Sequence, residues 1–157
     1  GQTSLEAKAY ETEDAIRQGA KEIDFVLNLT QVKMGNDAYT LKEMRTIREI
    51  CHAENILCKV IFETAYLDEA EIARLCRLAN EARPDFVKTS TGFGLAGATV
   101  AHVRLMRETC VPAVQVKAAG GIRDADTFLA MIEAGATRIG TSSGIKIIEE
   151  LKQRGIV

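Results

Sequence analysis

Two hydrophobic periods take turns along this chain. Stretches with apolar residues three and four apart predict helices, and short apolar runs predict strands. The opening helix starts at Thr3-Ser4-Leu5-Glu6, a capping-box pattern, carries Leu5, Ala9 and Ile16, and stops at Gly19. A strand over 22–29 follows, with an acid, Asp24, inside its apolar run. Asn36-Asp37 opens a helix with Leu41, Met44, Ile47 and Cys51 on one face, and residues 57–63 form a strand. Asp68 and Glu71 cap a helix carrying Ile72, Leu75 and Leu78, and Pro84 closes the turn before a strand that ends at Lys88. Thr99 opens a helix through Val103 and Met106, and a strand ending at Lys117 comes next. Asp124 then opens a helix with Phe128, Leu129 and Ile132, closed by Gly135. A strand at 137–141 and a helix from about Ser143 to Gln153 complete the order αβαβαβαβαβα.

Strict alternation with apolar strands predicts a parallel sheet covered by helices. No linker or low-complexity segment divides it, so residues 1–157 read as one α/β domain. Two architectures compete. A doubly wound sheet places a Gly-x-Gly-x-x-Gly after an early strand, and on this reading none is found. A (β/α)8 barrel places its functional groups at the C-terminal ends of several strands, with phosphate held by the loops after the last two. The chain favours the second.

Lys88 ends an apolar strand and enters Thr89-Ser90-Thr91-Gly92; Lys117 ends another and enters Ala118-Ala119-Gly120-Gly121. Burial disfavours an ammonium, and a neutral amine attacks carbonyls. The two lysines lie 29 positions apart, about one strand–helix–strand unit. They are therefore expected at the same end of adjacent strands, each lowering the other's pKa by like-charge repulsion. Taken singly, either one reads as a lysine snorkelling from a strand end. Asp24 needs a partner inside Ile-Asp-Phe-Val-Leu, and period two turns it with Val26, away from Phe25. It is expected to face the lysines, as a reacting group or as a structural ion pair. Glu63 ends a neighbouring strand and ranks below Asp24, and Lys59 sits too early in that strand to join the site.

The last two loops, Gly120-Gly121-Ile122-Arg123 and Gly140-Thr141-Ser142-Ser143-Gly144, taken singly read as tight connections and an N-cap, but together on consecutive units they are expected to hold a phosphate. Their glycines allow backbone N–H groups to approach it, the serines add hydroxyl donors, and a helix N-terminus adds partial positive charge.

Composition narrows the function further. Twenty basic and 22 acidic residues are interspersed, with 5% aromatics. There is no basic block or stacking surface for nucleic acid. No apolar run spans a membrane and no signal peptide opens the chain, which predicts a cytoplasmic protein. Cys51, Cys58, Cys76 and Cys110 contain no C-x-x-C spacing, so no metal site is expected and the thiols read as reduced and buried. His52 and His102 have no partner at ligand spacing and read as surface or packing residues.

Five stretches in order resemble the deoxyribose-phosphate aldolase family: Glu22-Ile23-Asp24-Phe25-Val26-Leu27-Asn28, Lys59-Val60-Ile61-Phe62-Glu63-Thr64, Phe86-Val87-Lys88-Thr89-Ser90-Thr91-Gly92-Phe93, Val116-Lys117-Ala118-Ala119-Gly120-Gly121-Ile122-Arg123 and Ala134-Gly135-Ala136-Thr137-Arg138-Ile139-Gly140-Thr141-Ser142-Ser143. The resemblance implies a (β/α)8 barrel and a class I aldolase without metal or cofactor. It implies reversible cleavage of 2-deoxy-D-ribose 5-phosphate to D-glyceraldehyde 3-phosphate and acetaldehyde. Lys88 is then the Schiff-base lysine, Lys117 and Asp24 the proton-transfer pair, and Gly120, Gly121, Ser142 and Ser143 the phosphate site. The partner is a small phosphorylated sugar, and a homo-oligomer is expected. Some members carry a lysine where this chain has Phe93. The resemblance covers the last two thirds of the family pattern, so five βα units of a partial barrel are expected, with the first three strands absent. A non-catalytic half-barrel, or another sugar-phosphate lyase or isomerase on the same barrel, are the rival readings.

Overall fold

In the computed structural model, which describes residues 1–157, five parallel strands lie side by side in chain order. They are β1 (Glu22–Val26), β2 (Leu57–Ile61), β3 (Phe86–Lys88), β4 (Gln115–Ala119) and β5 (Arg138–Gly140). The helices are α1 (Leu5–Arg17), α2 (Leu29–Lys33), α3 (Asp37–Ala53), α4 (Glu69–Ala82), α5 (Val100–Thr109), α6 (Ala125–Glu133) and α7 (Gly144–Gln153). Strand order equal to chain order, with a helix between each pair, is the winding of a (β/α)8 barrel, of which five βα units are present.

The caps set the helix starts. Asn36, Asp68, Thr99 and Asp124 each accept a backbone N–H in the first turn of their helices, and Glu71 completes a capping box with Asp68. In α1 the cap is Ser4, whose hydroxyl accepts the Ala7 N–H, so the box does not start at Thr3 as the pattern suggested. The strand expected over 22–29 stops at Val26, because Asn28 caps α2, a helix that periodicity does not reveal in so short a segment. The strand expected over 57–63 stops at Ile61. Glu63 then takes a left-handed conformation (φ 56°) and breaks the extended run.

The sheet has two unlike faces. Phe25, Cys58, Val60, Val87, Val116 and Ala118 point into the core shared with the helices, together with Met44, Ile47, Ile72, Leu75, Val103 and Met106. The alternate positions Glu22, Asp24, Lys59, Lys88, Lys117 and Arg138 project from the other face. All four cysteines are buried and unbridged, as expected. His52 is not a bare packing residue: its Nε2 lies 2.8 Å from Asp85 Oδ2, an oxygen that also accepts the Cys58 N–H at 2.8 Å. That contact pins α3 to the start of β3.

Candidate active site

Register brings the charged residues together. Asp24 of β1 is the direct partner of Lys59 in β2, and Lys88 of β3 is the direct partner of Lys117 in β4. The Lys88 and Lys117 Nζ atoms each stand 2.8 Å from Asp24 Oδ2, and Lys59 Nζ stands 2.5 Å from Oδ1. Asp24 thus faces the lysine pair, as its place in the strand implied. Lys59, expected to sit too early, lies within the cluster. A carboxylate partner in register on β1 meets it at its own level along the strand. The available signal was an ammonium between Cys58 and Val60, which could not be buried without such a partner.

The electrostatics follow from these contacts. Burial alone would raise the Asp24 pKa, but hydrogen bonds from Lys117, Lys59 and Lys88 outweigh it and hold the carboxyl well below the usual range. Burial lowers the Lys117 pKa, Asp24 opposes that, and the Lys88 and Lys59 charges add smaller downward effects. Desolvation, rather than the like charge, is therefore the main depressor at Lys117.

Hollows open around the cluster, and two of them meet at Thr91. One of about 330 Å³ is lined by Lys88, Lys117, Gly120, Gly121, Arg123 and Ser142, among others. A larger one of about 730 Å³ lies on the β1–β2 side, bounded by Val26, Leu29, Glu63 and Tyr66. The smaller one is lined by both Lys88 and Lys117, and the larger by neither. Gly120 and Gly121 both have positive φ (86° and 77°), which side chains would strain. Ser142 lines the cavity; Ser143 stands one residue further on as the N-cap of α7 and is not among the lining residues. Arg123, at the end of the Gly120-Gly121 loop, is among them.

Backbone and side-chain bonds hold the loops above the strands. The Thr89 hydroxyl donates to the Ala119 carbonyl and accepts the Ala119 N–H, each at 3.1 Å, tying the Lys88 loop to the Lys117 loop. The buried Glu63 accepts the Thr91 hydroxyl at 2.5 Å and the Thr91 N–H at 3.2 Å. It lines only the larger hollow and serves the smaller one by holding this loop. Contrary to the sequence expectation, the chain does contain a Gly-x-Gly-x-x-Gly, at Gly92-Phe93-Gly94-Leu95-Ala96-Gly97, which follows the third strand and not an early one. Here it supplies close backbone contact: a Cβ on Gly97 would come within 2.1 Å of the Gly120 carbonyl oxygen.

Five parallel strands in chain order, alternating with helices, define an α/β protein of the barrel class. The family model described as DeoC/LacD family aldolase matches residues 2–150, and the chain belongs to that family. It is 51% identical over 154 residues to a deoxyribose-phosphate aldolase of Lactobacillus acidophilus, covering 98% of this chain and 65% of the relative. It is 54% identical over 153 residues to one of Bacteroides thetaiotaomicron, covering 98% and 64%. The chain thus spans about 65% of the length of these curated relatives. Among solved structures it resembles "QR15, an Aldolase" (43% identity, TM-score 0.91, 99% of this chain and 70% of that one). It also resembles the tetrameric deoxyribose phosphate aldolase of Aeropyrum pernix (32% identity, TM-score 0.88, 98% and 64%).

Proposed function

We propose that this chain carries the reaction centre of a deoxyribose-phosphate aldolase, with Lys88 as the imine-forming amine. The observation that carries the reading is the meeting of Lys88 and Lys117 on one oxygen of Asp24 beside the glycine-lined cavity. A neutral Lys88 adds to the C1 aldehyde of 2-deoxy-D-ribose 5-phosphate and loses water to give an iminium. Asp24 and Lys117 take the proton from the C3 hydroxyl. The C2–C3 bond then breaks, its electron pair moving toward the iminium to give an enamine and releasing D-glyceraldehyde 3-phosphate. Protonation at C2 and hydrolysis release acetaldehyde and restore Lys88.

The phosphate falls to Gly120, Gly121, Ser142 and Ser143, with Arg123 as a nearby cation. Each of the other six α-helices is capped by a side chain, whereas Ser143 makes no such bond at α7. The first-turn N–H groups of α7 are left for an anion. Binding at the phosphate end holds C1 in register with Lys88. The substrate is a small phosphorylated sugar, and residues 1–157 act as one domain of a barrel completed by a further segment or chain.

The test is borohydride reduction after exposure to acetaldehyde, with peptide mass spectrometry. An ethyl group on Lys88 ahead of every other lysine is the expected result. Labelling of Lys117 alone would reverse the assignment. No selective labelling in either the 157-residue chain or a barrel completed to the relatives' length would favour the half-barrel reading.

A further inference from the structure

The proposed chemistry uses three members of the charged cluster and leaves three more idle: Lys59, Glu22 and Arg138. Lys59 is only 2% exposed and does not line the cavity. An ammonium so deep must be matched by carboxylates. Its Nζ stands 2.5 Å from Asp24 Oδ1 and 2.6 Å from Glu22 Oε2. The same Glu22 oxygen takes the Arg138 guanidinium, which lies over the Phe86 ring at 5.1 Å. All five strands therefore contribute a charge to one line of contacts. It runs from Arg138 of β5 through Glu22 of β1, Lys59 of β2 and Asp24 of β1 to Lys88 of β3 and Lys117 of β4.

The arrangement has two physical consequences. Lys59 occupies Oδ1, so the Asp24 carboxylate cannot rotate freely, and Oδ2 is presented to Lys88 and Lys117. Four cationic side chains also share two carboxylates, an excess of positive charge in a partly desolvated space. Lys59 has two carboxylates to match its charge, whereas Lys88 and Lys117 share a single oxygen.

We infer that Lys59 is a positioning residue for the aldol chemistry: braced by Glu22, it holds Asp24 Oδ1 so that Oδ2 faces Lys88 and Lys117, and it adds positive charge beside that pair. The inference rests on the reading of Lys88 as the imine lysine. Glu22 and Arg138 form its brace.

Reductive methylation with formaldehyde and cyanoborohydride, followed peptide by peptide across pH, gives the reactivity midpoints of Lys88 and Lys117 without turnover. Lys59→Met removes a cation and releases Oδ1, and both midpoints should rise by about one pH unit. Glu22→Gln removes an anion and should move them the other way. Lys59→Arg keeps the charge and should leave them near the parent values. Unmoved midpoints in Lys59→Met, or shifts of one sign in both Lys59→Met and Glu22→Gln, would overturn the inference, since a merely structural loss has no reason to change sign. If Lys59→Met does not fold, Glu22→Gln decides alone, and a rise or no change overturns it. Acetaldehyde trapping run in parallel separates the two claims. No imine at Lys88 in the parent protein sinks the site reading, whereas an imine with unmoved midpoints sinks only the role of Lys59.

Discussion

Lys88 and Lys117 are direct partners in the register of β3 and β4, and both amines reach the same oxygen of Asp24 at 2.8 Å. Two cations on one oxygen cannot both be fully matched, and this governs how each member of the cluster should respond to substitution.

Lys117→Leu should lower kcat about 10²–10³-fold in a barrel completed to the relatives' length, with a smaller change in substrate binding. A proton carrier is lost. The remaining lysines gain a larger share of Asp24, which favours their charged forms and moves the pH–rate profile to higher pH. A profile at its original position with near-normal turnover would refute the assignment.

The cavity lining separates two neighbouring serines. Ser142→Asp places a negative charge in the phosphate space, and Ser143→Asp places one beside it. The first should cut kcat/KM for the phosphorylated sugar by about 100-fold, on the order of the cost of setting like charges together, and the second by less. Unphosphorylated deoxyribose should be nearly unaffected by either. Equal losses for both sugars would make these loops structural only.

Gly97→Ala tests the contact between the two glycine-rich loops. The added Cβ meets the Gly120 backbone, which cannot yield as a flexible side chain would. The Gly120-Gly121 turn should be displaced, raising KM for the phosphorylated sugar at least several-fold; a near-attack geometry tolerates little displacement. Kinetics on the variant check this, and an unchanged KM would count against it.

Acid should weaken the fold through the same cluster. Arg138 and Lys59 lower the Glu22 pKa from 4.5 to about 2, and Asp24 is depressed as well. A depressed carboxyl contributes stability above its ordinary pKa and loses it as pH falls toward its folded value. Urea midpoints should therefore drop between about pH 4.5 and 2, modestly for Glu22 because it is partly exposed. Glu22→Gln should flatten that slope. An equally steep fall in the variant would place the acid sensitivity elsewhere.

The sheet ends at β1 and β5, which have no outer neighbours. Open edges beside apolar surface invite pairing with another chain, and closure links strand number, tilt and stagger. Ile145 and Ile148 of α7 are also exposed. The 157-residue chain by itself should associate in sedimentation experiments and release little acetaldehyde. Supplying the remaining third of a relative's length, in cis or as a peptide, should restore closure and turnover. A cooperative monomer turning over like a full-length relative would count against this.

Much of the molecule was legible in its sequence. Capping residues at Asn36, Asp68, Thr99 and Asp124, apolar helix faces and the strand ending at Lys88 are local features, and local chemistry decides them; the strand expected to end at Lys117 runs on to Ala119. The spacing of Lys88 and Lys117 was enough to set them on adjacent strands, because a parallel crossover has a narrow range of lengths. Three things were decided only by tertiary structure. Lys59 joined Asp24 through strand register, a relation between residues 35 positions apart that no periodicity encodes. Arg138 reached Glu22 because the sheet curves until its first and last strands face each other, 116 positions apart. The order of effects at Lys117, burial before like charge, depended on how much solvent the folded loops exclude, and a list of residues carries no measure of that.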